Sequence, residues 1–242
     1  MTAIGPGRRS MEGLEWLARV GPASTRVWSA AMGWTERTGR SHALRLERAK
    51  LLGRAPRLYG AGGALVYATA PAVALTGARA SALRREPSVV TAEHYEACAE
   101  MAAFLTRQGR TMRGPRELLA DDEWVGQVQW REHGETRQRG HRPDLIATAS
   151  DGGVLAFEVE LRAKSPARLT AVLRLYVRWL AEGKLSSLGY VVGTERERRQ
   201  LLTIAPRVGL AVGPQFGIRD RASVKNRLYG ETVAVKTGVV RC

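Results

Sequence analysis

Asp144, Glu158 and Glu160 are the side chains of this 242-residue chain best placed by type and spacing to do chemistry together. Residues 144–149 and 154–161 read as two strands, and Ser150-Asp151-Gly152-Gly153 between them has the turn chemistry of a hairpin. Side chains alternate along a strand, so Glu158 and Glu160 share one face while Phe157, Val159 and Leu161 share the other. A short hairpin returns Asp144 to their neighbourhood. Carboxylates held this close repel one another unless a cation neutralises them, and hard oxygen ligands suit Mg²⁺ or Mn²⁺. Such an ion would activate water and stabilise the charge that develops on a phosphodiester in its transition state. A buried strand ending in solvated charges explains an isolated Glu-x-Glu equally well. Arg142-Pro143 ahead of Asp144, and the elements that follow, favour the metal reading.

The positioning elements are readable. Residues 165–181 carry Leu169, Val172, Leu173, Tyr176, Val177 and Leu180 at helical spacing, with Arg168, Arg174 and Arg178 elsewhere. Residues 188–193 form a continuous apolar run of strand type, 195–204 a charged amphipathic helix and 208–212 another short strand. Strand, helix, strand, helix, strand implies a mostly parallel end to the sheet. Upstream, 93–108 reads as a helix and 124–132 as a polar strand, giving the order helix, three strands, helix, strand.

A Pro-Asp, a hairpin and an acidic triplet on the next strand resemble the PD-(D/E)XK nuclease superfamily, whose restriction-endonuclease-like core has this αβββαβ order. The triplet departs from the pattern at its third position, where Glu160 stands in place of Lys. Lys164, four residues on, is able to swing back as a substitute or to contact phosphate. The resemblance implies catalytic roles for Asp144, Glu158, Glu160 and Lys164, with Asp144, Glu158 and Glu160 as metal ligands. It also implies a glutamate from the first core helix, for which Glu100 and Glu117 are both candidates. His141 reads either as a general base or as a histidine bonded to backbone at the start of a strand.

The first third of the chain is written differently. Residues 11–19 form a short amphipathic helix stopped by Gly21-Pro22, Ser24 caps a second helix to Met32, and Thr35 caps a third through about Leu52. Strand-like runs at 54–58 and 65–69 flank Gly60-Ala61-Gly62-Gly63, a wing after a helix-turn-helix. The third helix carries Arg37, Arg40, Ser41, Arg45, Arg48 and Lys50, of which Arg37, Arg40 and Ser41 are the better base readers. Dimerisation or packing is the alternative use of such a bundle, and arginine-rich helices also serve as solvated faces. Charge favours nucleic acid: 14 Arg and Lys stand against 5 Asp and Glu through Val90, a surplus of nine in a chain whose net charge is +15.

Together these two parts resemble the replication-relaxation family, proteins of plasmids and integrative elements related to mobilisation accessory proteins. The likeness runs from Gly13 to Val212. It rests on the winged helix-turn-helix, Arg116-Glu117, His141-Arg142-Pro143-Asp144, and Ala156-Phe157-Glu158-Val159-Glu160-Leu161 with Lys164-Ser165. It implies DNA binding in plasmid replication, relaxation or transfer, with double-stranded DNA and replication or transfer proteins as partners, and Mg or Mn as cofactor only if the site is active.

The expected fold is therefore α/β, α+β overall. A winged helix-turn-helix occupies 1–76, a linker 77–92, a nuclease-like domain 93–213 and a basic extension 214–242. No apolar run approaches the ~20 residues of a membrane span, and residues 1–10 have no signal-peptide stretch. A cytoplasmic location and no membrane partner follow as expectations. Cys98 and Cys242 give neither a disulfide framework nor a cysteine zinc site. A homodimer would suit a winged helix, though no heptad or exposed apolar face marks one.

Overall fold

Ser24 and Thr35 each accept a hydrogen bond from the amide three residues on, both at 3.2 Å, and so start the second and third helices. The structure, a computed structural model, describes residues 6–57, 64–80 and 88–230. Arg8–Val20 (α1) comes first, then Ala23–Ser24 (β1), Thr25–Ala31 (α2), Glu36–Arg48 (α3) and the antiparallel strands Leu52–Arg57 (β2) and Ala64–Ala68 (β3). β1 pairs with β3, so this small sheet runs β1-β3-β2. The order is that of a winged helix, with the glycine-rich loop 60–63 outside the described residues. The third helix stops at Arg48 rather than near Leu52, because Lys50 adopts a left-handed backbone (φ 59°) and Leu52 already belongs to β2. A short helix at Ala70–Thr76 (α4), with Pro71 in its first turn and left-handed Gly77 (φ 66°) at its end, follows the small sheet.

Val89–Arg107 (α5) is capped by Ser88 and is rich in alanine and apolar residues on all sides, so it is buried nearly all round. It packs against α2 and β1 on one side and the main sheet on the other. A single apolar core accordingly runs from Leu14 and Trp28 through Ala97 and Met101 to Val159 and Val191, across the boundary expected near 77–92.

The main sheet has five strands in the order β10-β9-β8-β7-β4: Phe216–Asp220 (β10), Ser187–Val192 (β9), Val154–Glu160 (β8), Leu145–Thr148 (β7) and Thr111–Arg113 (β4). β4, β7 and β8 are antiparallel neighbours, whereas β8, β9 and β10 run parallel. Pro166–Ala181 (α7) and Glu195–Ile204 (α8) make the two crossovers. α7 lays Leu169, Val172, Leu173, Tyr176 and Trp179 on the face opposite α5. Each such aliphatic or aromatic side chain contributes roughly 1.5–3 kcal/mol relative to exposure. The molecule is thus α+β, with αβββαβ order in its larger part.

Three expectations for this part need correction. The first sheet strand is β4, whereas the polar strand Gly126–Glu132 (β5) leaves the sheet and, among the described residues, pairs only with Glu135–His141 (β6). Both residues of its turn, His133 and Gly134, have positive φ (51° and 81°), the conformation that joins strands in a two-residue hairpin. The last strand is β10 and not 208–212, because the chain turns through Gly209 in the left-handed region (φ 88°) and leaves Val212 exposed. The stretch read as an extension forms β10 and Arg221–Tyr229 (α9), and α9 packs on α5. Residues 232–236 and Cys242 lie outside the described residues. No described helix is long and apolar enough to cross a membrane.

The two halves also meet where Gly114, at the start of Pro115–Leu119 (α6), lies against the end of α1. A β-carbon there would press into the Arg19 carbonyl and come within 2.7 Å of the Val20 α-carbon, both rigid backbone. Gly114→Ala is expected to cost about 1–3 kcal/mol. The check is a lower urea midpoint at unchanged m-value.

Candidate functional site

The loop before β7 and the end of β8 bring Asp144 and Glu158 into one cleft of about 350 Å³, lined also by His94, His141, Arg142, Lys164 and Arg168. Asp144 is fixed from two sides: one carboxylate oxygen accepts the Val159 amide at 2.8 Å, and the other lies 3.1 Å from His94 Nε2. Glu158 is buried, as strand alternation toward α7 requires, and accepts a hydrogen bond from the Tyr176 hydroxyl. Its Oε1 is also 3.0 Å from His141 Nε2. Of the two readings of His141, the structure therefore shows it bonded to a site carboxylate. Lys164 reaches back and pairs with Glu160. Glu160 lines an adjoining cavity, with Glu93, His94, Leu161 and Lys164, rather than the cleft itself.

Burial and charge oppose each other throughout. Burial alone would raise the Glu158 carboxyl, but His141, Lys164 and the Tyr176 hydroxyl outweigh it and hold it below the usual glutamate range. Glu160 moves the other way: burial, with Glu158 and Asp144 adding, pushes it up despite the Lys164 ammonium. Burial would lower Lys164, yet the surrounding Glu158, Glu160 and Asp144 raise it, so the ammonium stays charged. For His94 burial is likewise outweighed, here by the Asp144 hydrogen bond and charge, and its pKa rises. The Cys98 thiol is pushed well up by burial, with Asp144 and Glu158 adding to the effect.

Asp144, Glu158 and Lys164 are thus brought together as the sequence predicts, and Glu160 joins them only through Lys164. Neither candidate helix glutamate reaches the cleft. Glu117 accepts the Gly114 amide at 3.0 Å, capping α6, and forms an ion pair with Arg19 Nε at 2.9 Å. Glu100, 2% exposed, receives the Arg221 guanidinium at 2.6 and 3.1 Å. The residue that α5 does present is His94. Cys98 follows one helical turn later, and its sulfur lies 3.5 Å from His94 Nε2. That i, i+4 spacing was the available signal. Tyr176 was hidden in an apolar stripe that gave no hint of its hydroxyl.

Asp144 and Glu158, whose carboxylates line the same cleft, are the residues that would hold a hard divalent ion. Glu160 does not fit as a third ligand, because it lies outside the cleft and is committed to Lys164.

On α3 the side chains sort cleanly. Arg37, Arg40, Ser41, Arg45, Arg48 and Lys50, the last just beyond the helix, are exposed, whereas Gly39, His42, Ala43 and Leu46 are buried. Gly39 lets α3 approach α2 closely, since a β-carbon there would run into the Ser29 side chain. His42 fixes the helix further: its ring stacks on Trp34 with centroids 4.3 Å apart, and Nδ1 lies 2.7 Å from the Ser10 hydroxyl.

No family model and no curated protein matches the chain. Among solved structures it is similar to protein VC1899 from Vibrio cholerae, at 12% identity and a TM-score of 0.35, over 92% of this chain and 55% of that one. The chain spans about half the length of that protein.

Removing Arg221 strands the buried Glu100 carboxylate. Arg221→Ala is expected to destabilise the fold by about 3–5 kcal/mol, as loss of one member of a buried ion pair does. Urea denaturation measures it, and a loss under about 1 kcal/mol, the scale of an exposed ion pair, would remove the structural role assigned to Glu100.

Proposed function

We propose that the chain binds specific duplex DNA, as a DNA-binding protein of a plasmid or integrative element acting in replication, in relaxation or transfer, or in regulating them. The observation that carries this reading is the sorting of α3, whose outward side bears Arg37, Arg40, Ser41, Arg45 and Arg48 beside Leu44 and Glu36, the latter paired with Arg40 at 3.0 Å, while its inward side is locked on α2, Trp34 and Ser10. A helix of this kind suits the major groove, where arginine reads guanine edges and lysine or arginine neutralises phosphates. Arg37, Arg40 and Ser41 lie in its first turns and are the base readers. Arg45, Arg48 and Lys50 fall to the backbone. The surplus of positive charge in the first third of the chain supports the same partner.

A second reading is favoured by one observation, the convergence of Asp144, Glu158 and Lys164 on a cleft rimmed by Arg139, Arg142 and Arg168. In this reading the protein is a Mg²⁺- or Mn²⁺-dependent endonuclease with the ion on Asp144 and Glu158. When bound, the ion would supply an activated water and charge stabilisation at phosphorus. The chain's own contribution is to hold Glu158 ionised through His141, Lys164 and Tyr176, to orient Asp144 through the Val159 amide, and to draw in the phosphodiester with the rim arginines.

The test selects a preferred duplex from a random pool and follows it by gel shift and by plasmid cleavage with Mn²⁺, Mg²⁺ or EDTA. Arg37→Ala is expected to cost about 1–3 kcal/mol on the preferred duplex and to relax one base position, whereas Arg48→Ala weakens all duplexes alike and lowers the salt slope by about one. Binding that ignores both substitutions would sink the DNA reading of α3. Metal-dependent cutting that disappears in Glu158→Ala would establish the endonuclease, and binding without cutting in either protein would exclude it.

A further inference from the structure

We propose that His94, Cys98 and Asp144 form a transition-metal site that takes a borderline-soft divalent ion such as Zn²⁺ through His94 Nε2, the Cys98 sulfur and an Asp144 carboxylate oxygen. The inference does not rest on either functional reading, since it concerns ion binding by the folded chain with or without nucleic acid.

The geometry points to an ion rather than to a hydrogen-bonded trio. The three donor atoms all lie within 4.8 Å of one another. His94 Nε2 is 3.5 Å from the sulfur and 3.1 Å from Asp144 Oδ1. Metal bonds of about 2.05 Å to nitrogen or oxygen and about 2.3 Å to sulfur, set at a tetrahedral angle, separate nitrogen from sulfur by about 3.5 Å and nitrogen from oxygen by about 3.3 Å. The two edges that meet at Nε2 are close to those of such a tetrahedron, and the sulfur–oxygen edge is within 4.8 Å. Hydrogen bonding explains the trio less well. One imidazole nitrogen either donates or accepts, so Nε2 cannot give a proton to Asp144 and also take one from the thiol. A cation at the centre satisfies all three donors at once.

The sequence builds the trio from rigid parts. His94 and Cys98 are one turn apart on the buried α5, so they share a face. Asp144 is oriented for them by the hydrogen bond from the Val159 amide to its other oxygen, an outer contact of the kind that aims metal ligands. His94 and Asp144 both line the cleft, so a fourth ligand, water or an anionic oxygen, can come from it. Three protein ligands with one open position is the pattern of reactive rather than purely structural zinc sites. A thiolate with an imidazole selects Zn²⁺ or Co²⁺ over Mg²⁺, which prefers an all-oxygen shell.

Co²⁺ is the probe, added to the reduced full-length chain. One equivalent is expected to give the strong visible bands of four-coordinate Co²⁺ and a thiolate-to-cobalt charge-transfer band in the near ultraviolet, all bleached by Zn²⁺. The spectrum should persist in Cys242→Ser, lose its charge-transfer band in Cys98→Ser, and weaken in His94→Ala with a fall in affinity of more than about tenfold, since even outer contacts cost that much. His94 is partly exposed, so His94→Ala tests the site even where Cys98→Ser disturbs packing; circular dichroism identifies that case. No charge-transfer band in the wild type, a band that follows Cys242, or an affinity unchanged in His94→Ala would overturn the proposal.

Discussion

Carboxylates crowded at one end of a largely buried sheet set the terms for this fold. Asp144, Glu158 and Glu160 lie where water screens poorly, so their repulsion and the cost of desolvating them must be met by neighbouring groups. Each element around the sheet supplies one. The loop after β8 returns Lys164 to Glu160, α7 turns the Tyr176 hydroxyl toward Glu158, β6 ends with His141 against the same carboxylate, and α5 brings His94 to Asp144. Polar networks of this sort are costly when incomplete and rigid when complete, which ties α5 and β6 to β8 and the segment that follows it.

α5 has the same connecting role for the apolar interior. A helix with five alanines, all buried, can be approached closely on several sides, so α2 and β1 lie on it from one side and β4, β7 and β8 from the other. Its buried polar groups are used in the joins. The Glu96 carboxylate accepts the Ser24 amide at 2.7 Å, fixing the start of α2, and Glu100 holds Arg221 of α9. Burial raises the pKa of Glu96 while the Ser24 bonds, which favour the carboxylate, oppose it, so the net cost of burying the group is less when it carries its proton. The mount of the winged helix and the α5 side of the cleft are therefore successive turns of one element.

Strong periodic signals were legible. The apolar stripe of α7, the alternation along β8 and the caps Ser24 and Thr35 each depend on neighbours in sequence, and each element formed where its pattern stands. What stayed hidden depended on partners distant in sequence. β4 has only three residues and exists because β7 offers an edge, while β6 carries no apolar face and is defined by its register with β5. The apolar run at 208–212 looked like a strand, yet left-handed Gly209 turns it away, and Phe216 makes the pairing with Leu188 instead. The same holds in the site. Asp144, Glu158 and Lys164 were marked by local motifs, whereas the pairings of Glu117 with Arg19 and Glu100 with Arg221 join residues 98 and 121 positions apart.

Lys164 shows why the acidic triplet matters for ranking the two functional readings. In an acidic-x-basic strand the lysine would stand two residues after Glu158, about 6.6 Å along the same face, and its charge would be free to meet a substrate anion. Here Glu160 occupies that place, and the lysine from the following loop arrives already paired with it. The cleft gains an ammonium that helps to hold Glu158 below the usual glutamate range, but this ammonium is already hydrogen-bonded to Glu160. Attraction for a phosphodiester then falls to Arg139, Arg142 and Arg168 at the rim, of which Arg142 is itself engaged by Asp122 at 2.9 Å. In the proposed readings, a cleft with this charge arrangement would hold a nucleic-acid backbone more readily than it would stabilise the extra charge of a transition state, which must be met at the reacting phosphorus. That difference is the physical ground for placing DNA binding ahead of cleavage.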